Sequence, residues 1–387
     1  MNTIYLLDKI FFVIAGLCTA YLFIYALFSM RRRSYTFPPA RKQHRFAVLI
    51  PAYKEDRVIG QSVASVLAQQ YPAELYRIVV IADRLCDDTI EELSQRPIRL
   101  LQPRFEQSSK ARALNFAMES LAGEEFDVVV ILDADNTVGP DFLDRLNDAY
   151  HSGARAMQAH RKAKNLDTDT AILDAVSEEI NNSIFRRGHI ALGISSALIG
   201  SGMAFDYRWF RENVSQLETA GEDKELEKLL LKQRVFIEYL DHVEVLDEKT
   251  QKDKAFYNQR RRWLAAQFYS LAGAIRDLPG AVLSGNLDYY DKLFQWMMPP
   301  RIVLAGMIPL WGAVMLPVDP VASLKWWGLL LALLFSMAFA IPDYLVDKRF
   351  KRALRKAPLL FVMMVANMFR IRGAKTKFIH TSHGETA

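Results

Sequence analysis

The sequence has very few cysteines and lacks the glycine-rich loops that commonly hold phosphate. Cys18 and Cys86 are the only cysteines among 387 residues, so neither a disulfide framework nor a zinc site of cysteine ligands can be built. Two cysteines are compatible with a reducing, cytosol-facing compartment. Neither the dinucleotide-binding nor the P-loop spacing of glycines occurs. A ligand that carries phosphate would therefore be held in another way, and a divalent cation is the natural substitute.

The net charge of +5 comes from basic clusters that flank apolar segments. These clusters lie at residues 31–33, 41–42 and 348–356. Basic residues beside apolar runs indicate membrane topology, and this placement argues against nucleic acid as a partner. We therefore expect the lipid bilayer to be a partner of this chain.

Three apolar runs predict membrane-spanning helices. Residues 10–30 contain 21 positions without a charge, enough at about 1.5 Å per residue to cross a hydrocarbon core of roughly 30 Å. A cleaved signal peptide is the alternative, but its basic residues would precede the run instead of following it. Residues 302–318 and 326–342 predict a helical hairpin, because a short turn rich in proline and aspartate separates them.

The basic flanks also predict the orientation of these helices. They place the end of the first and of the third helix inside and leave residues 318–325 outside. Residues 288–298 and 358–369 predict helices that lie in the membrane interface, although an ordinary core stripe is an equally good interpretation of the second segment. We expect a multi-pass protein of the cell inner membrane with three parts: an N-terminal anchor (1–33), a cytoplasmic domain (45–275), and interfacial helices with a transmembrane hairpin and cytoplasmic tail (276–387).

Short apolar runs alternate with helical patterns in the cytoplasmic domain. This alternation predicts an α/β fold with a mostly parallel sheet covered by helices. Ligands bind at the carboxyl ends of the strands in such sheets, and three predicted strands end at Tyr53, Asp83 and Asp133. Asp133 and Asp135 close the most apolar strand, and paired carboxylates suit Mg²⁺ or Mn²⁺ bound together with a diphosphate. The alternative is a strand end that simply turns into a loop.

Six motifs in order resemble the inverting glycosyltransferases of family 2, which have the GT-A fold, and in particular members akin to cellulose, chitin and hyaluronan synthases. The motifs are LIPAYKE, a strand ending in Asp followed by DDT, KARALN, DAD, GED and QRRRW, within about residues 45–270. The resemblance implies a membrane-bound, metal-dependent hexosyltransferase that uses a nucleotide sugar, expected to be a UDP-sugar. A saccharide or a lipid-linked acceptor would receive the sugar, and an oligomer or an export partner stays open.

The resemblance also assigns roles to individual residues. It places the uridine against Glu55 and Asp83, the nucleotide beside KARALN, and the metal diphosphate at DAD. The implied donor-binding residues are Pro51, Tyr53, Glu55, Asp83, Lys110, Arg112, Asn115, Asp133 and Asp135. Asp223, with Glu222 beside it, stands where the family has its general base, which takes the proton of the acceptor hydroxyl. The residues implied at the acceptor and diphosphate are Gln259, Arg262, Trp263, Gly200, Ser201 and Gly202.

Several of these motifs have plainer interpretations. QRRRW also fits an amphipathic helix with a solvated basic face, and residues 200–202 also fit a plain glycine-rich turn. The chain departs from the resemblance where ADRLCDDT has a less polar turn than many relatives and where Gly221 stands in place of a common Thr. The tail KTKFIHTSH resembles a gating segment of synthases, but His380 and His383 have no assigned role. A polyprenyl-phosphate sugar transferase and a catalytically silent membrane scaffold are the alternative functions.

Overall fold

The described residues form one mixed sheet with helices on both faces, and long apolar helices lie outside it. The computed structural model describes residues 2–31, 36–219, 221–251 and 253–370, without the side chains of residues 2 and 253–255. The strands are β1 Phe46–Tyr53, β2 Tyr76–Asp83, β3 Arg99–Leu101, β4 Val128–Ile131, β5 Thr137–Val138, β6 Ala156–Ala163, β7 Met203–Asp206 and β8 Ile237–Asp247. The helices are α1 Asn2–Ser29, α2 Ile59–Leu67, α3 Asp87–Ser94, α4 Lys110–Ser120, α5 Phe142–His151, α6 Asp169–Asn181, α7 Gly188–Ala191, α8 Tyr207–Asn213, α9 Glu222–Lys232, α10 Asp253–Ala274, α11 Leu278–Leu283, α12 Leu287–Met297, α13 Arg301–Met315, α14 Pro320–Ala340, α15 Lys348–Ala353 and α16 Ala357–Phe369.

The strand order, β3-β2-β1-β4-β7-β6-β8-β5, confirms the predicted α/β fold with a mostly parallel sheet. Strands β3, β2, β1 and β4 run parallel to one another, and β6 runs parallel to β8. Strand β7 is antiparallel to both β4 and β6, and β5 is antiparallel to β8. The parallel half therefore brings the carboxyl ends of β1, β2 and β4 to one edge, where ligands bind in such sheets.

The apolar sequence of β4 explains why this strand lies in the middle of the sheet. Val128 and Val130 belong to a buried cluster with α2, α3 and α5, whereas Val129 and Ile131 belong to a second cluster with α4, α8 and α9. Both faces of the strand are thus covered, which is typical of a parallel strand with a continuous apolar run. The buried strand holds the residues that follow it in a fixed position.

The membrane-side helices only partly match the three predicted spans. Among the described residues, Thr3–Ser29 and Pro320–Ala340 are long and apolar enough to cross a membrane. Helix α13 reaches that length only together with α12, from which it is bent by 58°. The count of three spanning helices is therefore not confirmed, because α13 has 15 residues and the pair Pro299–Pro300 interrupts its continuation toward α12.

Contacts between these helices tie them to one another and to the sheet domain. Asp8 near the start of α1 forms an ion pair with Lys325 near the start of α14, so the two helices run in the same direction. Helix α12, predicted to be interfacial, packs Leu293 and Trp296 into the core of the sheet domain. Helix α16 lies against α13, where a side chain at Gly306 would overlap the ring of Phe361. The segment KTKFIHTSH, with His380 and His383, lies outside the described residues.

Candidate active site

Two tight turns at the ends of β1 and β2 form the first wall of a cleft. Lys54 and Arg84 directly follow these strands and have positive φ angles of 55° and 59°, a conformation that is uncommon for side chains with a Cβ. The backbone N–H of Lys54 donates a hydrogen bond of 3.1 Å to the carbonyl of Asp83. Tyr53 pairs with Asp83 in the parallel register, so their side chains stand at the same level. Pro51 can lie inside β1 because β4 pairs with this strand only as far as Leu49.

The two aspartates after β4 stand on the floor of the cleft in different environments. Asp133 is partly exposed, and its backbone N–H donates to Ser201 Oγ at 2.9 Å. Asp135 is buried. Its Oδ1 accepts a hydrogen bond of 3.1 Å from Asn136 Nδ2, and its Oδ2 accepts one of 3.3 Å from the N–H of Glu248. These bonds fix Asp135, whereas the Asp133 carboxylate faces the open cleft.

The two aspartates fit a divalent cation that takes its remaining ligands from a bound substrate. Within the described ranges no group of three or more His, Cys, Asp or Glu side chains is arranged to hold a metal ion. Asp133 and Asp135 could supply two carboxylates to such a cation, and its other ligands would then come from phosphate and water. Mg²⁺ is commonly bound in this way, by one or two carboxylates together with substrate phosphates.

Lys110, the first residue of α4, links the two acidic groups of the cleft. Its Nζ donates hydrogen bonds of 2.5 Å to Asp133 Oδ1 and to the carbonyl of Gly200, and it lies 3.4 Å from Glu222 Oε1. Burial alone would lower the pKa of Lys110, but Asp133 and Glu222 raise it well above its usual value. Lys110 therefore keeps its positive charge throughout the neutral pH range.

The GED carboxylates begin α9, where the positive end of the helix dipole favours negative charge. Glu222 is buried, and Asp223 is partly exposed to the cleft with Oδ1 accepting a hydrogen bond of 2.8 Å from the N–H of Lys224. Gly221 lies directly before them. A Cβ at this position would be 2.9 Å from the Cβ of Ala266 on α10, so the absence of a side chain lets α9 approach α10 closely.

The combined effect of burial and neighbouring charges raises the pKa of Glu222 and lowers the pKa of Arg262. Burial raises the pKa of Glu222, Lys110 lowers it, and Asp223 raises it again, with the result that it lies at about 7. Burial lowers the pKa of Arg262, and the carboxylates of Glu222, Asp133 and Asp223 partly oppose that change. Glu222 therefore changes its charge near neutral pH, a property that is common at catalytic sites.

Helix α10 brings the QRRRW residues to the opposite wall of the cleft. Gln259, Arg262 and Trp263 all line it, so this helix does not carry a wholly solvated basic face. Arg260 was not predicted as a site residue, yet its guanidinium lies 4.8 Å from the ring centroid of Trp263 and forms an ion pair with Asp174. One face of the Trp263 ring is thus already covered by a cation.

Only the first residue of the small-residue segment reaches the cleft. Gly200 and Gly202 have φ angles of 58° and 65°, which glycine adopts without strain. Gly202 is buried, and a Cβ there would be 2.9 Å from Val245 Cγ2 and 3.3 Å from Ala159 Cβ. Ser201 is also buried. Both residues support the floor of the cleft from below, and Gly200 alone of the three lines it.

Two residues of KARALN lie away from the cleft. Arg112 is exposed and donates a hydrogen bond of 2.9 Å to the carbonyl of Gln107. Asn115 donates to Glu119 Oε1 at 2.9 Å. The helical period separates them from Lys110, since residues that share a face of a helix are three or four positions apart. Of the predicted site residues, those that do line the cleft are Pro51, Tyr53, Glu55, Asp83, Lys110, Asp133, Asp135, Gly200, Glu222, Asp223, Gln259, Arg262 and Trp263.

A buried cluster of charges was missed in the sequence, and three of its members, Arg161, Arg186 and Asp247, line the cleft. Arg161 on β6 lies 3.2 Å from Glu178 and 3.7 Å from Asp247, Arg186 lies 3.1 Å from Glu178, and Lys249 lies 2.8 Å from Asp247. Burial alone would raise the pKa of Glu178, but Arg161, Lys249 and Arg186 lower it to about 2. The charged residues within the apolar pattern AMQAHRKA of β6 were the one available signal.

The cleft continues from the sheet domain to the membrane-side helices. Its volume is about 600 Å³. Its lining includes Asp83, Asp223 and Arg262 of the sheet domain and α10, and also Leu22 on α1 and Met337 on α14. The cleft therefore joins a polar site for charged groups to an apolar region between the helices that are long enough to cross a membrane.

Comparison with known proteins identifies the family. Residues 44–266 match the sequence model of glycosyltransferase-like family 2. The match covers more than half of the chain, and the chain therefore belongs to this family. A probable glycosyltransferase of Bacillus subtilis strain 168, YdaM, is 31% identical over 100 residues, which are 24% of this chain and 23% of that protein. The chain thus spans about a quarter of the length of the curated relative that it matches.

Solved structures resemble the chain in fold. The mannosyltransferase PcManGT of Pyrobaculum calidifontis, in complex with GDP-Man and Mn²⁺, has a TM-score of 0.58 at 16% identity, with 92% of this chain and 99% of that chain covered. Residues 1–349 of TarS from S. aureus give a TM-score of 0.43 at 14% identity, with 85% and 90% covered. The first similarity, together with the family match, confirms a GT-A-like fold.

Proposed function

We propose that this chain is a membrane-bound, inverting glycosyltransferase that moves a sugar from a nucleotide-sugar donor to a saccharide or lipid-linked acceptor. One observation carries the proposal: residues of DAD, GED and QRRRW line one cleft although they are far apart in the sequence. Carboxylates for a cation, a carboxylate for the acceptor and an arginine for phosphate are the groups that glycosyl transfer from a diphosphate requires. A silent scaffold would not need this combination.

The donor would lie between the strand ends and DAD. Glu55 and Asp83 offer oxygens that accept hydrogen bonds from a nucleoside, and Tyr53 offers an aromatic face for its base. Asp133 and Asp135 would hold Mg²⁺ or Mn²⁺, which supplies positive charge to the diphosphate. PcManGT was solved with GDP-Man and Mn²⁺, so a panel of donors must include GDP-mannose beside UDP-sugars.

The acceptor hydroxyl would attack the anomeric carbon in a single displacement. A new bond forms between the acceptor oxygen and that carbon, the bond to the diphosphate oxygen breaks, and the hydroxyl proton passes to Asp223. Glu222 is held by Lys110, whereas Asp223 faces the cleft, and this difference favours Asp223 as the base. Arg262 would stabilise the charge of the departing nucleoside diphosphate. The configuration of the product is inverted because attack and departure occur on opposite sides.

The helices at both ends support a membrane location. Residues 1–33 would form an anchor, residues 45–275 the cytoplasmic transferase domain, and residues 276–387 the interfacial and spanning helices with a cytoplasmic tail. Exposed apolar side chains on α1, α14 and α16, such as Leu17, Leu331 and Val362, support contact with lipid. A multi-pass protein of the inner membrane would then meet nucleotide sugars on its cytoplasmic side.

Nucleotide release is the direct test of this function. The full chain in lipid nanodiscs is incubated with radiolabelled UDP-sugars and GDP-mannose, Mn²⁺ or Mg²⁺, and a membrane lipid extract as the acceptor source. We expect one donor to give nucleotide release and a labelled product, and we expect Asp135→Asn to lower metal-dependent donor binding by about a hundredfold. Asn115→Ala, outside the cleft, is the control and should behave like the wild type. Absence of release with every donor would contradict the proposal.

A further inference from the structure

Arg301 lies where the cleft changes from polar to apolar. It begins α13 directly after Pro299 and Pro300, and all three line the cleft. Its Nη2 donates a hydrogen bond of 3.2 Å to the carbonyl of Ser177, and its guanidinium lies 5.6 Å from the ring centroid of Phe185. Its Nη1 is buried and has no hydrogen-bond partner among the described residues. This nitrogen is therefore a donor without a partner, in a side chain that lines the cleft.

The charges around Arg301 leave it without an acidic partner. No carboxylate of the described residues forms an ion pair with it, and the charged groups that act on it through space are Arg260, Glu178 and Arg186. The carboxylates close to these arginines are already engaged, because Asp174 pairs with Arg260 and Glu178 with Arg186. A buried cation without a counter-ion is costly. The arrangement is thus suited to an anion that comes from outside the chain.

Apolar side chains continue the cleft beyond Arg301. They come from four membrane-side helices: Leu22 of α1, Ile302 and Ala305 of α13, Met337 of α14, and Leu360 and Met364 of α16. A ligand in this part of the cleft would have an apolar chain, and the preceding guanidinium would meet a negative group attached to that chain. A phosphate or diphosphate on a hydrocarbon chain has both properties.

We infer that this part of the cleft binds the phosphate and the hydrocarbon chain of a lipid-linked saccharide acceptor, with Arg301 as the phosphate contact. The saccharide then extends toward Asp223, and the donor diphosphate occupies the separate position near Asp133 and Asp135. This inference rests on the proposed function of the cleft. It adds the class of acceptor and a residue, Arg301, that the glycosyltransferase motifs do not include.

Binding of small probes tests the inference without knowledge of the natural acceptor. Farnesyl diphosphate, farnesol and inorganic diphosphate are titrated into the full chain in nanodiscs. Each dissociation constant is measured after the signal of protein-free nanodiscs has been subtracted. We expect farnesyl diphosphate to bind about tenfold or more tightly than either fragment, because the charge-assisted hydrogen bond and the apolar contacts act together. Equal binding of inorganic diphosphate and farnesyl diphosphate would overturn the lipid assignment.

Variants of Arg301 separate its role from general effects on folding. Arg301→Gln should weaken binding of farnesyl diphosphate about tenfold or more while binding of UDP with Mn²⁺ stays within twofold. Arg301→Lys keeps the charge and should retain part of the affinity. Arg276→Gln removes an exposed arginine outside the cleft and should have no effect. Unchanged binding by Arg301→Gln would overturn the assignment. If Arg301→Gln does not fold, Ala305→Leu tests the site of the hydrocarbon chain, because this substitution narrows the apolar part of the cleft.

The inference and the proposed function can fail separately. Loss of nucleotide release with every donor would contradict the transferase function even if farnesyl diphosphate binds at Arg301. Transfer of a sugar directly onto the phosphate of farnesyl phosphate would support a transferase but overturn the place of Arg301, because the phosphate would then have to lie at Asp223.

Discussion

Lys110 Nζ lies 2.5 Å from Oδ1 of Asp133, a carboxylate oxygen that is proposed to bind a metal ion. The same ammonium lies 3.4 Å from Glu222. The lysine and a divalent cation would compete for the charge of Asp133, since two positive charges at one carboxylate repel each other. Lys110 therefore bridges Asp133 and Glu222, and a cation bound as proposed would have to share Asp133 with it or displace it.

Replacement of Lys110 tests this competition. In Lys110→Met we expect Mn²⁺ to bind several-fold more tightly without donor, because a nearby positive charge is removed, and we expect the rate of transfer to fall at least tenfold. Manganese electron paramagnetic resonance measures the first effect and product formation the second. Lys351→Met, which removes an exposed lysine, is the control. Weaker binding of Mn²⁺ to Lys110→Met would show that the lysine supports the metal site instead of competing for it.

Asp223→Asn separates the chemical step from donor binding. The substitution keeps the size of the side chain and its acceptor for the N–H of Lys224, but it removes the ability to take a proton. We expect kcat to fall by about a hundredfold to ten-thousandfold, with a donor dissociation constant within about twofold of the wild type. Equilibrium dialysis and initial rates give the two values. Normal transfer by Asp223→Asn would assign the base to another residue.

The ionisation of Glu222 predicts how transfer depends on pH. With a pKa of about 7, this carboxyl is mostly protonated at pH 6 and mostly ionised at pH 8. Its negative charge partners Lys110, so we expect the rate to rise with pH through about 7 and to reach a plateau about one pH unit higher. Glu222→Gln should abolish this rise and leave a lower, flatter profile. A profile of Glu222→Gln that still rises near pH 7 would assign the titration to another group.

The local apolar pattern predicted much of the fold and part of the site. The run DVVVILDAD is so apolar that it must be a buried strand, and the two aspartates at its end follow from that position. The antiparallel insertion of β7 between β4 and β6 depends on pairing between distant segments, which strand periodicity does not encode. Of the residues that the motif KARALN suggested, Lys110 lines the cleft, whereas Arg112 and Asn115 lie on other faces of the same helix.

Residues outside the motifs were harder to predict for a similar reason. Arg161, Glu178 and Asp247 come from two strands and a helix that are distant in the sequence, and only the folded chain brings their charges together. The apolar runs also differ in length from the helices that contain them, because α13 is shorter than its run and α14 is longer. Apolar composition predicts that a segment avoids water, but capping residues such as Pro300 and Asp319 determine where each helix begins.

Gly221 offers a test of how α9 and α10 are positioned relative to each other. A methyl group at this residue would lie 2.9 Å from the Cβ of Ala266, too close unless one helix moves. Gly221→Ala should therefore lower stability by about 1–3 kcal/mol, and a displacement of Asp223 relative to Arg262 of about 1 Å would lower kcat roughly a hundredfold. Thermal unfolding and initial rates measure the two effects.

Two further variants show whether the contact itself is responsible. Gly280→Ala adds a methyl group that meets nothing within 4 Å, and its gain in helix propensity should leave stability unchanged or slightly higher. Gly221→Ala combined with Ala266→Gly removes the opposing methyl group and should restore most of the lost activity, because the two helices can then return to their separation. If the double variant stays as impaired as Gly221→Ala, the contact between residues 221 and 266 is not what limits activity, because the φ of −119° at Gly221 is open to residues with a Cβ.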